Sequence, residues 1–528
     1  MKRIRRAAER RAARLLVPAI ACALLLPGTA GCAGDAGNEG PGVREPAVAG
    51  SFYPEDPDRL RLAVRAFLNE APVKEKGTAL AILAPHAGYI YSGQIAADAW
   101  RQAAELPIET VVILGTNHTT APFRGASVWG SGAYGTPLGD APVDAEFAAR
   151  LREEDDRFVF RADTHRKEHS VEVQVPFAQI LFPEARIVPM VIGDKDAEMC
   201  RALGRAIGRI ASPGRTLIVA STDLSHYPAY DDAVRSDHAV LRAVASLDPS
   251  EVKRTIAREM DRGAADLSTC ACGEGPILVA MHAALEMGAD HATVVSYANS
   301  GMAAIGNPDR VVGYGAVAFS SGGGGTDLAA LESPAPAREV DGPLTGEQRA
   351  WLIDLARRSV EQYMLTGTAP LARPDDPALL ARRGAFVTLK KRGELRGCIG
   401  HMKEDLPLAR TVGAMALQAA FNDRRFQPVQ WEEWRDITVE ISVLTPFREI
   451  DGPEKIVIGR DGVLLKKDGR SAVYLPQVAP EQGWDREETL DHLCAKAGLP
   501  GGCWKRGAAL YTFQAEVFAE EGDAEASR

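Results

Sequence analysis

At 528 residues the chain is too long for one hydrophobic core, which rarely grows past about 250–300 residues, so two domains are expected. Hydrophobic content of 46% and charged content of 25% exclude a disordered chain and a polytopic membrane protein. The formal charge of −10 becomes −16 once the Arg-rich first 31 residues are set aside, which excludes a nucleic-acid partner, since that would require a basic face.

The N-terminus reads as an export signal. Residues 1–14 are Arg-rich, residues 15–27 are apolar but too short to span a bilayer, and small residues lead to Cys32. Residues 1–31 are therefore expected to be a lipoprotein signal peptide, and Cys32 the lipidated first residue of the mature chain. Ala33 after it favours the outer membrane over the cell membrane, with the domains extracytoplasmic; a misassigned start codon would instead leave them cytoplasmic. Residues 32–44 form a small, Gly-rich tether. Cys494 and Cys503 are read either as a bridge or as two separate buried thiols.

Residues 45–320 alternate apolar runs with helical stretches. The runs are 80–83, 111–114, 187–192, 217–220, 293–296 and 311–319, and the helical stretches include 58–68, 95–104, 197–210 and 232–245. This pattern predicts an α/β fold with a mostly parallel sheet covered by helices. A Gly run followed by Pro and Ala marks 321–343 as a linker. Residues 344–520 place helical stretches (347–365, 406–421) among strand-like runs (384–389, 397–400, 438–444, 455–458, 463–466, 472–475, 511–518), which predicts an α+β domain. Residues 521–528 form an acidic tail.

The chemistry concentrates in the first domain, which holds eight of the ten histidines. His86 follows the run ALAILAP, His118 follows TVVILGTN, and Asp223 and His226 follow TLIVAST. Ligands bind outside the carboxyl ends of strands in open α/β sheets, so these strand ends can bring distant histidines to one metal site. A further ligand is sought in LSTCACGEGP, from Cys272 or Glu274. In THRKEHSVEVQVPF, His165, His169, Glu172 and Gln174 lie together. Period-2 alternation there would put Glu172 and Gln174 on one strand face, and the competing reading is a solvated loop. GSGAYG at 130–135 fits G-x-G-x-x-G, but no βαβ unit frames it, and it is read as a turn.

These segments together resemble the Memo family. The match is carried by REPAVAGSFYP (44–54), APHAGYIYSG (84–93), GTNHT (115–119), GTPLG (135–139), EHSVEVQVPF (168–177), ASTDLSHY (220–227) and ACGEGP (271–276). The second domain is similar to the AMMECR-type family through RGAFVTL (383–389), LRGCIG (395–400), DRRFQPV (423–429), VEISVLTP (439–446) and YLPQVAPEQGW (474–484). The resemblance implies a fold like that of the class III extradiol dioxygenases, which bind non-heme iron near the strand ends. It places His86, His118 and Cys272 at metal-ligand positions, with Glu274 offering a carboxylate, and His226 at an acid/base position. A thiolate where a dioxygenase has a carboxylate speaks against dioxygenase activity itself. The resemblance also implies a functional link to a radical-SAM protein, as in the AmmeMemoRadiSam system, whose proteins B and A would here be fused.

The expectation is a membrane-tethered protein binding a divalent metal, iron or alternatively copper, and acting as a metal-dependent enzyme on a small molecule. His226, Asp223 and His169 are the catalytic candidates. The alternative is a module that binds a ligand or peptide in the same strand-end pocket without chemistry. In the second domain, Arg396, Cys398, Asp423 and Arg424 are expected to surround a pocket.

Overall fold

The computed structural model describes residues 42–332 and 342–520. The signal peptide, Cys32, most of the tether, the middle of the linker and the acidic tail lie outside the described residues. Among the described residues no helix is long and apolar enough to cross a membrane.

The first domain is built on an 8-stranded sheet. In spatial order its strands are His291–Asn299, Gly313–Ser321, Thr78–Ala84, Thr216–Ser221, Thr110–Thr116, Arg186–Ile192, Ala126–Val128 and Phe158–Val159. The four central strands, from Thr78–Ala84 to Arg186–Ile192, run parallel. Their neighbours on either side pair antiparallel, so the sheet is mixed around a parallel centre. Each central strand is apolar on both faces, as a sheet covered on both sides requires. In Thr110–Thr116, Val111 and Ile113 face one core, while Val112 and Leu114 face the other.

Helices Pro57–Glu70 and Tyr89–Arg101 cover one face with Leu60, Phe67, Ile95 and Trp100. Helices Ala197–Ile210 and Glu274–Glu286 cover the other with Leu203, Ile207, Ile277 and Leu278. Truncating fully buried Trp100 to alanine would cost roughly 3–5 kcal/mol.

The second domain has two antiparallel sheets. One orders Glu394–His401, Ala385–Lys391, Ile437–Leu444 and Ala515–Ala519; the other orders Arg448–Ile450, Ala509–Phe513, Gly462–Lys467 and Arg470–Tyr474. Helices Gly346–Thr366 and Leu408–Phe421 pack on the first sheet. Two sequence expectations change here. The run 511–518 is two strands in different sheets, broken at Gln514, whose carbonyl accepts from Thr445 N at 2.8 Å. The run 455–458 is no strand but the end of a 3₁₀ turn at Pro453–Lys455, with Ile456 buried beneath it. Cys494 and Cys503 are disulfide-bonded.

The two domains touch directly. Helix Pro57–Glu70 packs against Gly346–Thr366. Arg59 Nε donates to the Leu365 carbonyl at 3.2 Å, and Arg410 Nη2 donates to that of Gly306 at 2.7 Å.

Candidate metal centre

Three of the parallel strands end at the site. His86 lies two residues beyond Thr78–Ala84, His118 two residues beyond Thr110–Thr116, and Asp223 two residues beyond Thr216–Ser221. The third imidazole comes from elsewhere: His169 opens the short helix His169–Glu172, which packs against the end of the His118 strand. Gly115 permits that approach, because a Cβ there would lie 2.5 Å from Ser170 Oγ. The ring centroids stand 5.2 Å apart for His86 and His118, 5.3 Å for His86 and His169, and 4.7 Å for His118 and His169. One nitrogen from each ring falls within 4.8 Å of the others, so the three form a group that can hold a metal ion.

The hydrogen bonds decide which nitrogen of a ring is tied back to an oxygen. Ser221 Oγ donates to the Ser170 carbonyl at 2.5 Å and accepts from Gln174 Nε2 at 3.0 Å. Its single proton is thereby used, so towards His86 Nδ1, 3.1 Å away, it is an acceptor. His86 therefore carries a proton on Nδ1, and its Nε2 faces Cys272 Sγ at 3.2 Å. His118 Nδ1 donates to Glu168 Oε1 at 2.9 Å, and the ring also hydrogen-bonds Cys272. His169 Nδ1 lies 3.4 Å from the same oxygen. Imidazoles tied back through Nδ1 to an oxygen acceptor, with Nε2 presented forward, are the arrangement metal-binding histidines adopt.

The charges around the rings favour a cation. Glu168 is 1% exposed. Burial would raise its pKa, but hydrogen bonding and attraction to His118 prevail and hold it down to about 2. Cys272 Sγ lies 3.2 Å from His86 Nε2 and accepts from Asp223 N at 3.3 Å. Burial would raise this thiol too, yet His86 and His118 draw it down to about 6. A thiolate beside three imidazoles, with the Glu168 carboxylate holding His118 from behind, makes a donor set suited to iron, copper or zinc. Gly273 is required at the thiol's neighbour, since a Cβ there would meet Thr222 Cβ at 2.5 Å.

Asp223 lies against this group without entering it. Its Oδ1 accepts from the backbone N–H of His86 at 2.8 Å and of Ala87 at 3.3 Å, so it fixes the loop that carries His86. Burial raises its pKa, with His226 opposing. His226 stands outside the cluster of three rings: its Nδ1 faces the Leu224 carbonyl at 3.0 Å, and its ring meets Tyr227 edge-on. Glu274 does not join the histidines. It opens the following helix and pairs with Lys195 at 2.6 Å and Lys253 at 3.4 Å.

The segment 162–175 is neither strand nor solvated loop. It forms short helical turns in which His165, Glu172 and Gln174 are wholly buried. Sequence reasoning did not single out Glu168 or Ser221; a carboxylate directly beside His169 was the available signal. Residues 130–135 turn into the strand Ala133–Thr136.

In the second domain, Asp423 accepts from Cys398 N at 2.9 Å and pairs with Arg425 at 2.7 Å; Arg425 in particular holds its pKa well below the usual range. Arg396 is taken up by Glu433 at 2.6 Å, and Arg424 is exposed at the surface. Arg425 and Glu433, rather than Arg424, complete the polar contacts.

A family model described as Memo-like protein matches residues 44–318, and one described as AMMECR1 matches residues 353–518. A MEMO1 family protein of Methanopyrus kandleri is 36% identical over 291 residues, covering 53% of this chain and 99% of that protein. A protein of Pyrococcus furiosus is 44% identical over 184 residues, 32% of this chain and 87% of its own length. Among solved structures, an uncharacterized protein of Pyrococcus horikoshii is 43% identical and covers 32% of this chain and 90% of its own, with a TM-score of 0.31. An uncharacterized protein of Escherichia coli K12 is 16% identical, covering 45% of this chain and 99% of its own at the same TM-score of 0.31. Through residues 44–318 the chain belongs to the Memo-like family, and it carries an AMMECR1 domain behind that part.

Proposed function

We propose that the chain binds a redox-active divalent metal, iron or copper, through His86, His118 and His169 with Cys272 beside them, and acts there as an enzyme on a small molecule. The observation that carries this is the hydrogen-bond accounting that ties Nδ1 of His86 and His118 back to oxygen acceptors and leaves their other nitrogens to the side of Cys272. A bound metal would supply Lewis acidity or an electron to an oxygen-bearing substrate. The protein's own groups supply the rest. Glu168 and Ser221 hold the rings, and Asp223 holds the His86 loop. His226, whose Nδ1 is committed to a carbonyl, can take a proton on Nε2 at the edge of the site.

Tethering through Cys32 belongs to the same proposal and rests on the sequence. The Cys494–Cys503 bridge supports an oxidising compartment. Palmitate labelling that persists in Cys32→Ser would remove the tether from the proposal.

The position of His226 outside the ring cluster favours a second reading, a pocket that binds a ligand without chemistry. Metal content after anaerobic purification separates the two. Near-stoichiometric iron or copper, lost in His86→Ala and in His118→Ala, supports the enzyme. A folded chain that takes up no metal on reconstitution leaves the binding module.

A further inference from the structure

Arg44 lies on the first short strand, 4% exposed, with its guanidinium 5.0 Å from the Tyr134 ring. It donates in three directions: Nε to the His165 carbonyl at 3.0 Å, Nη2 to the Glu168 carbonyl at 2.7 Å, and Nη1 to the Glu172 carboxylate. All three acceptors lie within residues 165–172, the stretch that also carries the Glu168 carboxylate and the His169 ring. Glu172, itself wholly buried, gathers the other side of the same N-terminal segment. It accepts from Ala47 N at 2.8 Å, Val48 N at 3.0 Å and the Tyr53 hydroxyl. Phe52, in the same segment, lays its ring 4.8 Å from that of His169.

A buried guanidinium is costly unless its donors are matched. Here the match is to two backbone carbonyls and a carboxylate, each met by a different nitrogen of the guanidinium. A planar fork can serve three divergent acceptors, and a point charge on a flexible stem cannot. The stretch it grips is two short helical turns, too short to hold its own shape. We infer that Arg44 is a positioning residue for the metal centre: with the segment 43–53 that it anchors, it sets the place of the Glu168 carboxylate and the His169 imidazole. This rests on the metal-binding reading above and adds that the centre's affinity depends on the N-terminal stretch of the domain, which contributes no ligand.

The test is cobalt titration of the full chain, followed by visible absorption, for wild type, Arg44→Lys, Arg44→Met and Arg357→Met. Arg357 pairs with Glu520 in the second domain and serves as a control for lost stability alone. Misplacing the groups that orient metal ligands weakens binding about 10- to 100-fold. That loss, with an altered cobalt spectrum, is expected in both Arg44 variants, and neither change is expected in Arg357→Met. Arg44→Lys keeps the charge, so it carries the test if Arg44→Met fails to fold. Wild-type affinity and spectrum in Arg44→Lys overturn the inference while leaving the metal reading intact. A loss matched by Arg357→Met overturns it as well. Wild-type protein that takes up no cobalt overturns the metal reading itself, a different result from either.

Discussion

Asp98, wholly buried in the helix that follows His86, receives Arg373 of the second domain at 2.6 Å. Gln94 Nε2 and Ser296 Oγ, at 3.0 and 2.5 Å, complete its shell from within the first domain. A buried carboxylate whose only cationic partner among the described residues belongs to the other domain ties the stability of the first to the docking of the second. Breaking a buried pair from one side costs about 3–5 kcal/mol. Arg373 is 32% exposed, so about 2–3 kcal/mol is expected for Arg373→Ala. Asp98→Asn in the same background should recover part of that, because no charge is then stranded. Urea denaturation of the two variants checks this; equal midpoints for Arg373→Ala and wild type would show that the pair does not bind the domains together.

Glu168→Gln tests the tie behind His118. Oε2 accepts from His118 N at 2.7 Å, while Oε1 accepts from His118 Nδ1 and from Ser170 N, each at 2.9 Å. Every partner is a donor, so an amide must turn its NH₂ against an N–H in either orientation. One buried donor left unmatched costs about 1–3 kcal/mol. Metal affinity should fall about 10- to 100-fold with the ligands themselves intact. Competition with a chelator measures it, and an unchanged affinity would detach Glu168 from the site.

The strand ends were legible in the sequence because buried parallel strands are continuous apolar runs, and the residue beyond such a run has a known place. That logic reaches His86, His118 and Asp223. It does not reach the partnership of His169 with them, since His169 follows no strand. HSVEVQV alternates with a period of 2, yet the structure is helical there. Pattern arithmetic puts Glu172 and Gln174 on one strand face or in a solvated loop, whereas Arg44, Tyr53 and Trp100 Nε1 satisfy them in the interior of a helical segment. Local pattern cannot see partners that lie more than 70 residues away. The run 511–518 fails differently: both halves are strands, and only the pairing at Gln514 divides them.

The Cys494–Cys503 bridge closes a short loop beneath the second sheet, beside Leu490, Leu493 and Val463. Chain-entropy arguments give about 2.5 kcal/mol for a loop of about ten residues. Reduction, or the Cys494→Ala/Cys503→Ala pair, should therefore loosen this small core first and leave the metal centre's affinity unchanged. Limited proteolysis should cut within the second domain faster under reducing conditions. Identical cleavage rates with and without reductant would mean that the bridge adds nothing measurable.

Asp237 makes stability depend on pH. It is wholly buried, accepts from Ser225 N at 2.8 Å and the Tyr297 hydroxyl at 2.9 Å, and has no cationic partner among the described residues. Burial lifts its pKa from 3.8 to about 7, against the lowering by those hydrogen bonds. The folded state therefore holds this proton across a range in which the unfolded state has released it. Its contribution favours folding below the unfolded pKa and is lost as pH rises towards about 7, with little further change above that. The loss is on the order of 2–4 kcal/mol. Asn imitates the protonated carboxyl in shape and hydrogen bonding, so Asp237→Asn should stabilise the chain more at pH 8 than at pH 5. Melting temperatures of both proteins across that range decide it. A gap between them that does not widen with pH would mean that the carboxyl is not what titrates.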